Sequence, residues 1–222
     1  MFLSGRGRTT IKKNLGGLDV QLLYGTANTA KIHHMQEMLG DLDIKIVGLN
    51  DIGLPIKEID ESGKSPLENA KIKALAYYKS FKVPVFSCDS GLYIDGLDKE
   101  SQPGVYIRRV NGKTLNDEEM IEHYAKIALD LGGEVKAKYK NAICLILDDN
   151  KIFEYDGDDI ASNFLITSKV NPKRQIGFPL DSISLDQESG KYYIDMDANS
   201  ADINKNGIAK GFRKFFLSTV IK

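Results

Sequence analysis

Hydrophobic and polar positions change period along the chain, and the two periods predict an alternation of strands and helices. Short apolar runs predict buried strands over residues 19–24, 44–49, 83–88, 135–147 and 151–155. Apolar residues at helical spacing predict helices over residues 28–39, 66–81, 117–131 and 206–220. This order is typical of an α/β fold, and the long paired strands in the middle indicate a long mixed central sheet flanked by helices.

Local capping chemistry marks where two of these helices begin. Ser65, Pro66 and Glu68 stand at the N-cap, the first helical position and the third, which forms a capping box with proline in the first turn. Asn116 and Glu119 have the same spacing before the next helical run. Both helices are therefore predicted with defined starting residues.

Composition and charge place the chain among globular proteins. Its 222 residues are 42% hydrophobic and 27% charged, which excludes a disordered or collagen-like chain. The 30 Lys and Arg residues nearly balance the 31 Asp and Glu residues, so neither nucleic acid nor a membrane is expected as a partner. No apolar run reaches the roughly 18 residues of a membrane span, and the basic N-terminus lacks the apolar stretch of a signal peptide. We therefore expect a cytoplasmic protein with an N-terminal extension over residues 1–18 and one domain over residues 19–222.

Several common chemistries have no support in the sequence. The chain has 2 cysteines, Cys88 and Cys144, and 3 histidines, too few for a disulfide scaffold or a four-cysteine zinc site. No Gly-x-Gly-x-x-Gly follows the first predicted strand, and the chain has neither a Walker lysine motif nor a Gly-x-Ser-x-Gly elbow. The sequence therefore gives no indication of a dinucleotide-binding, P-loop or serine-hydrolase site.

The turn from Gly25 to Lys31 joins a predicted strand to a predicted helix. Its small polar residues leave backbone N–H groups free at a helix N-terminus, where an anion is favoured. Lys31 lies in the first helical turn, where a cation is unfavourable unless an anion bridges it. The alternative is that Asn28 or Thr29 only caps the helix.

Two acidic segments are candidates for a metal site. Glu61 belongs to the run 58–63, which has the composition of a solvated loop. Asp89 comes at the end of an apolar strand, where α/β folds place metals and substrates. Sheet topology could bring the two carboxylates together, and two carboxylates with phosphate oxygens and water form the usual magnesium shell.

Two further segments contain residues suited to a nucleotide. Arg108 and Arg109 offer guanidinium groups for phosphate, but on a strand they point to opposite faces, so at most one is expected in the site. Phe178 offers a ring that stacks on a base, and Asp181 offers a carboxylate that accepts a ring N–H. The alternative is a plain Gly-Pro turn in this segment.

Taken in order, these segments resemble the inosine triphosphate pyrophosphatase family, which removes non-standard purine nucleotides. The family's opening Thr-x-Asn-x-x-Lys turn is matched by Thr26, Asn28 and Lys31. Its Glu-Thr-Gly, Glu-Asn-Ala-x-x-Lys-Ala, Asp-Asp-Ser-Gly-Leu and Pro-Gly-Val-Tyr blocks are matched in the segments 61–63, 68–74, 88–92 and 103–106. Cys88 replaces the first aspartate of the Asp-Asp-Ser-Gly-Leu block. The blocks stand in register over about residues 24–112, which makes the resemblance specific.

The resemblance weakens in the C-terminal third of the chain. The family's Gly-Phe-Gly-Tyr-Asp-Pro becomes Gly-Phe-Pro-Leu-Asp-Ser at residues 177–182, which keeps Phe178 and Asp181. The His-Arg pair that contacts the purine oxygen in the family is replaced by Lys205 and Asn206. The base-reading half is therefore altered, which affects substrate identity more than reaction type.

The resemblance implies two lobes around a nucleotide-binding cleft, and commonly a homodimer. It implies hydrolysis of a nucleoside triphosphate, such as ITP, dITP or XTP, to the monophosphate and pyrophosphate. It also implies Mg²⁺, with Mn²⁺ as an alternative, held by Glu61 and Asp89. Asp89 would in addition orient or deprotonate the attacking water.

The contacts with the nucleotide are implied by the same resemblance. The triphosphate would be held by Lys31 and Lys73, by the backbone at Ser90 and in the turn from Thr26 through Asn28 to Lys31, and, as a weaker candidate, by Arg109. The residues that would contact the base are Phe178, Asp181, Lys205 and Asn206. One alternative is a pyrophosphatase with another base specificity, for a pyrimidine or a modified nucleotide. Another is a nucleotide-binding relative without hydrolytic activity, against which the retained Glu61 and Asp89 argue.

Overall fold

The structure is a computed structural model, and it describes residues 20–40, 42–53, 59–196 and 207–221. The strands are β1 Val20–Tyr24, β2 Ile44–Gly48, β3 Val85–Ile94, β4 Arg109–Val110, β5 Lys113–Thr114, β6 Glu134–Asp148, β7 Lys151–Tyr155, β8 Ser162–Thr167 and β9 Ser184–Leu185. The helices are α1 Thr29–Met38, α2 Pro66–Phe81, α3 Asp117–Asp130 and α4 Gly207–Thr219. The predicted α/β class is confirmed.

Seven strands form one sheet, which confirms the predicted mixed central sheet with two strands more than the sequence predicts. Its order is β2-β1-β3-β6-β8-β9, and β7 also pairs with β6. β1 runs parallel to β2 and β3, whereas β6 runs antiparallel to β3, β7 and β8. The long strand β6 is therefore the element that joins the two ends of the sheet.

Helices cover both faces of the sheet. Successive residues of β3 point to opposite faces, and apolar residues on each face must be covered by a helix. Val85 packs in a buried cluster with Ala70 and Ala74 of α2. Its neighbour Phe86 packs in a different cluster with residues of α1 and α4, including Phe216. A third cluster, formed with α3 and including Tyr124, lies over the far part of β3 and β6.

Capping chemistry sets the helix starts, as expected from the sequence. The Ser65 hydroxyl accepts the N–H of Glu68 at 3.2 Å, and Pro66 is the first residue of α2. Asn116 and Glu119 form the predicted capping box at the start of α3. These ends are defined by residues close in sequence, so local chemistry is enough to predict them.

β3 is longer than the apolar run that predicts it. The prediction ends at Cys88, but the strand continues to Ile94 because β6 pairs with it as far as Ala137. Asp89 and Ser90 therefore lie inside a strand rather than after its end. The hydrophobic pattern does not predict β8, β9 or the short β4–β5 hairpin.

None of the helices among the described residues is long and apolar enough to cross a membrane. The predicted extension over residues 1–18 lies outside the described residues. The division into an extension and one domain therefore stays a prediction.

Candidate active site

Among the described residues, the middle of β3 has a strand neighbour on one side only. β1 pairs with β3 only at Val85 and Phe86, and the next contact on that side is a bridge between Leu92 and Gly104. Cys88 to Ser90 lie between these two contacts, and β6 pairs with them from the other side. This gap leaves an open strand edge, and the predicted metal and phosphate residues gather around it.

Glu61 and Asp89 are brought together by the ammonium group of Lys73. Lys73 Nζ lies 2.9 Å from Asp89 Oδ1 and 3.2 Å from Glu61 Oε2. Lys73 reaches them from α2, whose inner face packs on the sheet. The sequence-predicted pair of carboxylates is therefore adjacent in space, although 28 positions separate the two residues in the chain, from 61 to 89.

Asn69 links the loop that contains Glu61 to β3. Its amide nitrogen donates to Asp89 Oδ2 at 3.2 Å, and its amide oxygen accepts the N–H of Gly63 at 2.8 Å. A Cβ at position 63 would lie 2.6 Å from that amide oxygen, so glycine is required for this close approach. Asn69 was not predicted as a site residue, but it shares a buried helix face with Lys73, four positions later.

The two lysines of the site differ in their partners. Burial lowers the pKa of Lys73, but the charges of Asp89 and Glu61 outweigh it and leave the pKa above its ordinary value. Burial lowers the pKa of Lys31, and the charge of Lys73 lowers it further against a partial offset from the carboxylates. Lys31 makes no ion pair with any described residue, so the open edge holds an ammonium group that lacks a counter-ion there.

Asn28 caps α1. Of the two interpretations of the 25–31 turn, an anion site and a helix cap, the structure therefore shows the helix cap. Its side-chain oxygen accepts the N–H groups of Ala30 and Lys31 at 3.0 and 3.3 Å. Its own N–H donates to Thr26 Oγ1 at 3.2 Å. Two of the N–H groups at this helix end are therefore bound within the turn, and contact of Thr26 and Asn28 with a triphosphate stays a prediction.

The two neighbouring arginines point in different directions, but not by alternation along one strand as predicted, because Arg108 lies in a turn and only Arg109 belongs to β4. Arg109 donates to the backbone oxygen of Glu61 at 3.3 Å, which places it at the rim of the site. Arg108 instead donates to the backbone oxygen of Leu115 at 3.0 Å and to Asp117 at 2.8 Å. Only Arg109 is close to the carboxylate pair.

The segment that contains Gly177 and Phe178 reaches across to α1. The Phe178 ring meets the His34 ring edge to face, with 5.9 Å between the ring centres. The amide nitrogen of Asn28 donates to the backbone oxygen of Gly177 at 3.4 Å. Phe178 thus lies beside the 25–31 turn, while Lys205 and Asn206 lie outside the described residues. The predicted base contacts of these residues stay predictions.

Asp181 is a half-buried carboxyl group whose burial raises its pKa to about 7. Between the ordinary pKa of 3.8 and this value, the folded protein retains a proton that the unfolded chain releases. The stability of the folded state therefore falls as the pH rises through this range, and it stays lower above it. This makes Asp181 a group whose charge changes near neutral pH.

Asp181→Asn is expected to remove this pH dependence. At about pH 8 the variant should be more stable than the unmodified protein by about 1–3 kcal/mol, because it no longer buries a charge. At about pH 3 the two proteins should have similar stability, since the carboxyl group is then largely protonated in both states. Urea unfolding across this pH range tests the prediction, and a stability difference independent of pH would contradict it.

The carboxylate pair has the donor chemistry of a magnesium site. The Lys73 ammonium lies between the two carboxylates, so both already converge on one positive charge. Carboxylate oxygens suit hard cations such as Mg²⁺, which keeps several waters and takes few protein ligands. Among the described residues, no three His, Cys, Asp or Glu side chains cluster as a metal site.

Comparison with known proteins gives consistent matches. A family model described as the Ham1 family matches residues 22–201. A dITP/XTP pyrophosphatase from Brucella melitensis is 31% identical over 186 residues, which cover 80% of this chain and 80% of that protein. One from Bradyrhizobium diazoefficiens is 31% identical over 140 residues, 61% of this chain and 64% of that protein, so the match spans less than two thirds of that relative. The solved structure of a HAM1 protein from Coxiella burnetii has a TM-score of 0.68 and 24% identity, and the match covers 90% of this chain and 99% of that one.

Proposed function

Because the chain belongs to the Ham1 family, we propose that it hydrolyses nucleoside triphosphates to the monophosphate and pyrophosphate, with non-standard purine nucleotides as substrates. The observation that supports this most strongly is the convergence of Glu61 and Asp89 on Lys73, at 3.2 and 2.9 Å. The relatives named dITP/XTP pyrophosphatase support the substrate class.

The proposed reaction begins with water attacking the α-phosphorus. The bond from this phosphorus to the oxygen bridging the β-phosphate breaks, and pyrophosphate leaves. Asp89 orients the water and accepts its proton at a carboxylate oxygen. Lys31, which has no counter-ion among the described residues, supplies positive charge to the triphosphate. Such reactions depend mainly on positioning and electrostatics, which these residues provide.

Lys73 and Asn69 hold the carboxylate pair in position for this reaction. Lys73 donates a hydrogen bond to each carboxylate and so holds the two side chains together, and Asn69 fixes the orientation of Asp89. When bound, Mg²⁺ would neutralise charge on the phosphate oxygens, and Glu61 and Asp89 are the residues that would hold it. Contact of Lys73 with the triphosphate itself stays a prediction.

The direct test is a pyrophosphate assay with Mg²⁺ and a panel of triphosphates that includes ITP, XTP, dUTP and ATP. Pyrophosphate release from ITP or XTP supports the proposal. Release mainly from dUTP would favour another base specificity, and binding without release would identify a non-hydrolytic relative. The altered residues Pro179 and Leu180 are the observation that keeps another base specificity under consideration.

Activity is expected to require a divalent cation strictly. Two carboxylates with no His or Cys grouped with them among the described residues suit Mg²⁺ or Mn²⁺ rather than a softer metal. Exhaustive chelation should therefore abolish pyrophosphate release, and added Mg²⁺ or Mn²⁺ should restore it. Full activity after chelation would contradict the prediction.

Discrimination between ITP and ATP is expected to be modest. Sites that read a group by hydrogen bonds reject analogues because their buried polar atoms go unpaired. The Asn206 carboxamide can turn to meet either a 6-oxo or a 6-amino edge, so rejection of ATP should amount to about 1–3 kcal/mol at most. The ratio of kcat/KM for ITP and ATP measures this. A preference of many thousandfold would show that other residues of the C-terminal third read the base.

A further inference from the structure

Asn141 lies on β6 directly opposite Ser90 of β3, and its side chain makes two hydrogen bonds. Its amide nitrogen donates to the backbone oxygen of Ile160 at 2.7 Å, and its amide oxygen accepts from Ser90 Oγ at 2.6 Å. A backbone oxygen can only accept, so the NH₂ group must face Ile160 and the amide oxygen must face Ser90. Ser90 is therefore the donor, and its hydroxyl proton points at Asn141.

This hydrogen bond determines what the Ser90 hydroxyl can offer to a ligand. A hydroxyl group has one proton and two lone pairs. Because Asn141 engages the proton, only lone pairs remain, and these suit an ammonium group, a cation or water rather than an anionic phosphate oxygen. Donation to phosphate would leave the half-buried amide oxygen of Asn141 without its partner, which is unfavourable.

The main chain of Ser90 supplies the donor that its side chain does not. Even-numbered residues of β3 direct their backbone groups away from β6: Phe86 accepts the N–H of Gly25 at 2.8 Å, and Leu92 exchanges two bonds with Gly104 at 2.9 Å. Ser90 lies on the same edge between these points, and no described residue accepts its N–H. This N–H is therefore available to an anionic oxygen at the open edge.

We propose that Asn141 is a positioning residue that turns the Ser90 hydroxyl proton away from the site. Ser90 then donates a hydrogen bond to the triphosphate from its main-chain N–H, and its Oγ can act only as an acceptor. This inference rests on the proposed function, because it places a triphosphate beside the open edge of β3. Asn141 differs from the predicted triphosphate residues in acting through Ser90 rather than by contact.

The test is calorimetric binding of inorganic tripolyphosphate to the full chain in EDTA, where no metal contributes. Ser90→Ala should leave the dissociation constant within about twofold, since no hydroxyl donor is lost. Asn141→Ala should tighten binding by about three- to tenfold, because the hydroxyl can then turn and donate to a phosphate oxygen. The double variant should return to within about twofold of the unmodified protein, because the gain requires the hydroxyl. Ser80→Ala, which removes an exposed hydroxyl at the end of α2, is the control.

A loss of threefold or more in Ser90→Ala would show that the hydroxyl donates to phosphate, and would overturn the inference. Unchanged or weaker binding in a folded Asn141→Ala would overturn it as well. If Asn141→Ala does not fold, Ser90→Ala decides the question alone. If metal-free binding is too weak for calorimetry, the inhibition constant of tripolyphosphate against nucleotide hydrolysis gives the same comparison.

These outcomes can be separated from failure of the proposed function. An unmodified protein that neither binds tripolyphosphate nor releases pyrophosphate from any nucleotide with Mg²⁺ contradicts the proposed function. An active protein whose Ser90 and Asn141 variants show the opposite pattern contradicts only the role of Asn141.

Discussion

Asp89→Asn is expected to lower turnover by at least about a hundredfold while the fold persists. The change keeps the shape of the side chain but removes the charge that binds Lys73 at 2.9 Å and that would accept the proton of the attacking water. Lys73 retains Glu61 as a partner, and Asn69 can still donate to the oxygen of the new amide. The loss should therefore fall on chemistry more than on stability, and kcat for pyrophosphate release measures it.

Asp149→Asn is the matched control for this variant. Asp149 lies in the turn between β6 and β7 with 77% of its side chain exposed, and its contact with Lys82 is 3.7 Å long. An exposed pair of this kind contributes little, so turnover should stay within about twofold. Near-native turnover in a folded Asp89→Asn protein would show that another carboxylate activates the water, and Glu61 would be the first candidate.

The sequence predicts those parts of the fold that depend on neighbours along the chain. Ser65, Pro66 and Glu68 act within one helical turn, so the start of α2 follows from them. The end of β3 depends instead on pairing with β6, which lies far away in sequence. The strand β8 pairs with the first half of β6 and begins with two polar residues, Ser162 and Asn163, so its hydrophobic pattern is weak.

In the candidate site, too, the sequence predicts some residues but not the contacts between residues that are far apart in the chain. The resemblance to a family, which the Ham1 match confirms, predicts Glu61 and Asp89 as a pair of metal ligands, but it does not predict what holds them in place. Asn69 and Lys73 are polar residues on the inner face of α2, where Ala70 and Ala74 pack on the sheet. Polar residues at such positions need partners, so this placement is the signal that would have predicted their contacts with the carboxylates.

The second large effect is expected from Lys73→Met, and it falls on stability. The Lys73 side chain is 11% exposed and that of Asp89 is 13% exposed, so the ammonium group is the buried counter-ion of a carboxylate. Removing one partner of a buried pair leaves a charge without compensation. Since Glu61 is more exposed, we expect the free energy of unfolding in EDTA to fall by about 2–4 kcal/mol. Lys71→Met, which removes a more exposed lysine paired with Glu154, should change it by less than about 1 kcal/mol.

Magnesium should reverse part of the loss in Lys73→Met. Without the ammonium group, the two carboxylates repel each other and attract a divalent cation more strongly than before. A ligand that binds only the folded state adds stability in proportion to the logarithm of its concentration over its dissociation constant. Urea unfolding should therefore show a smaller defect in millimolar Mg²⁺ than in EDTA, and no such recovery in Lys71→Met. An equal defect in both solutions would mean that Glu61 and Asp89 do not form the metal site, whatever the variant does to turnover.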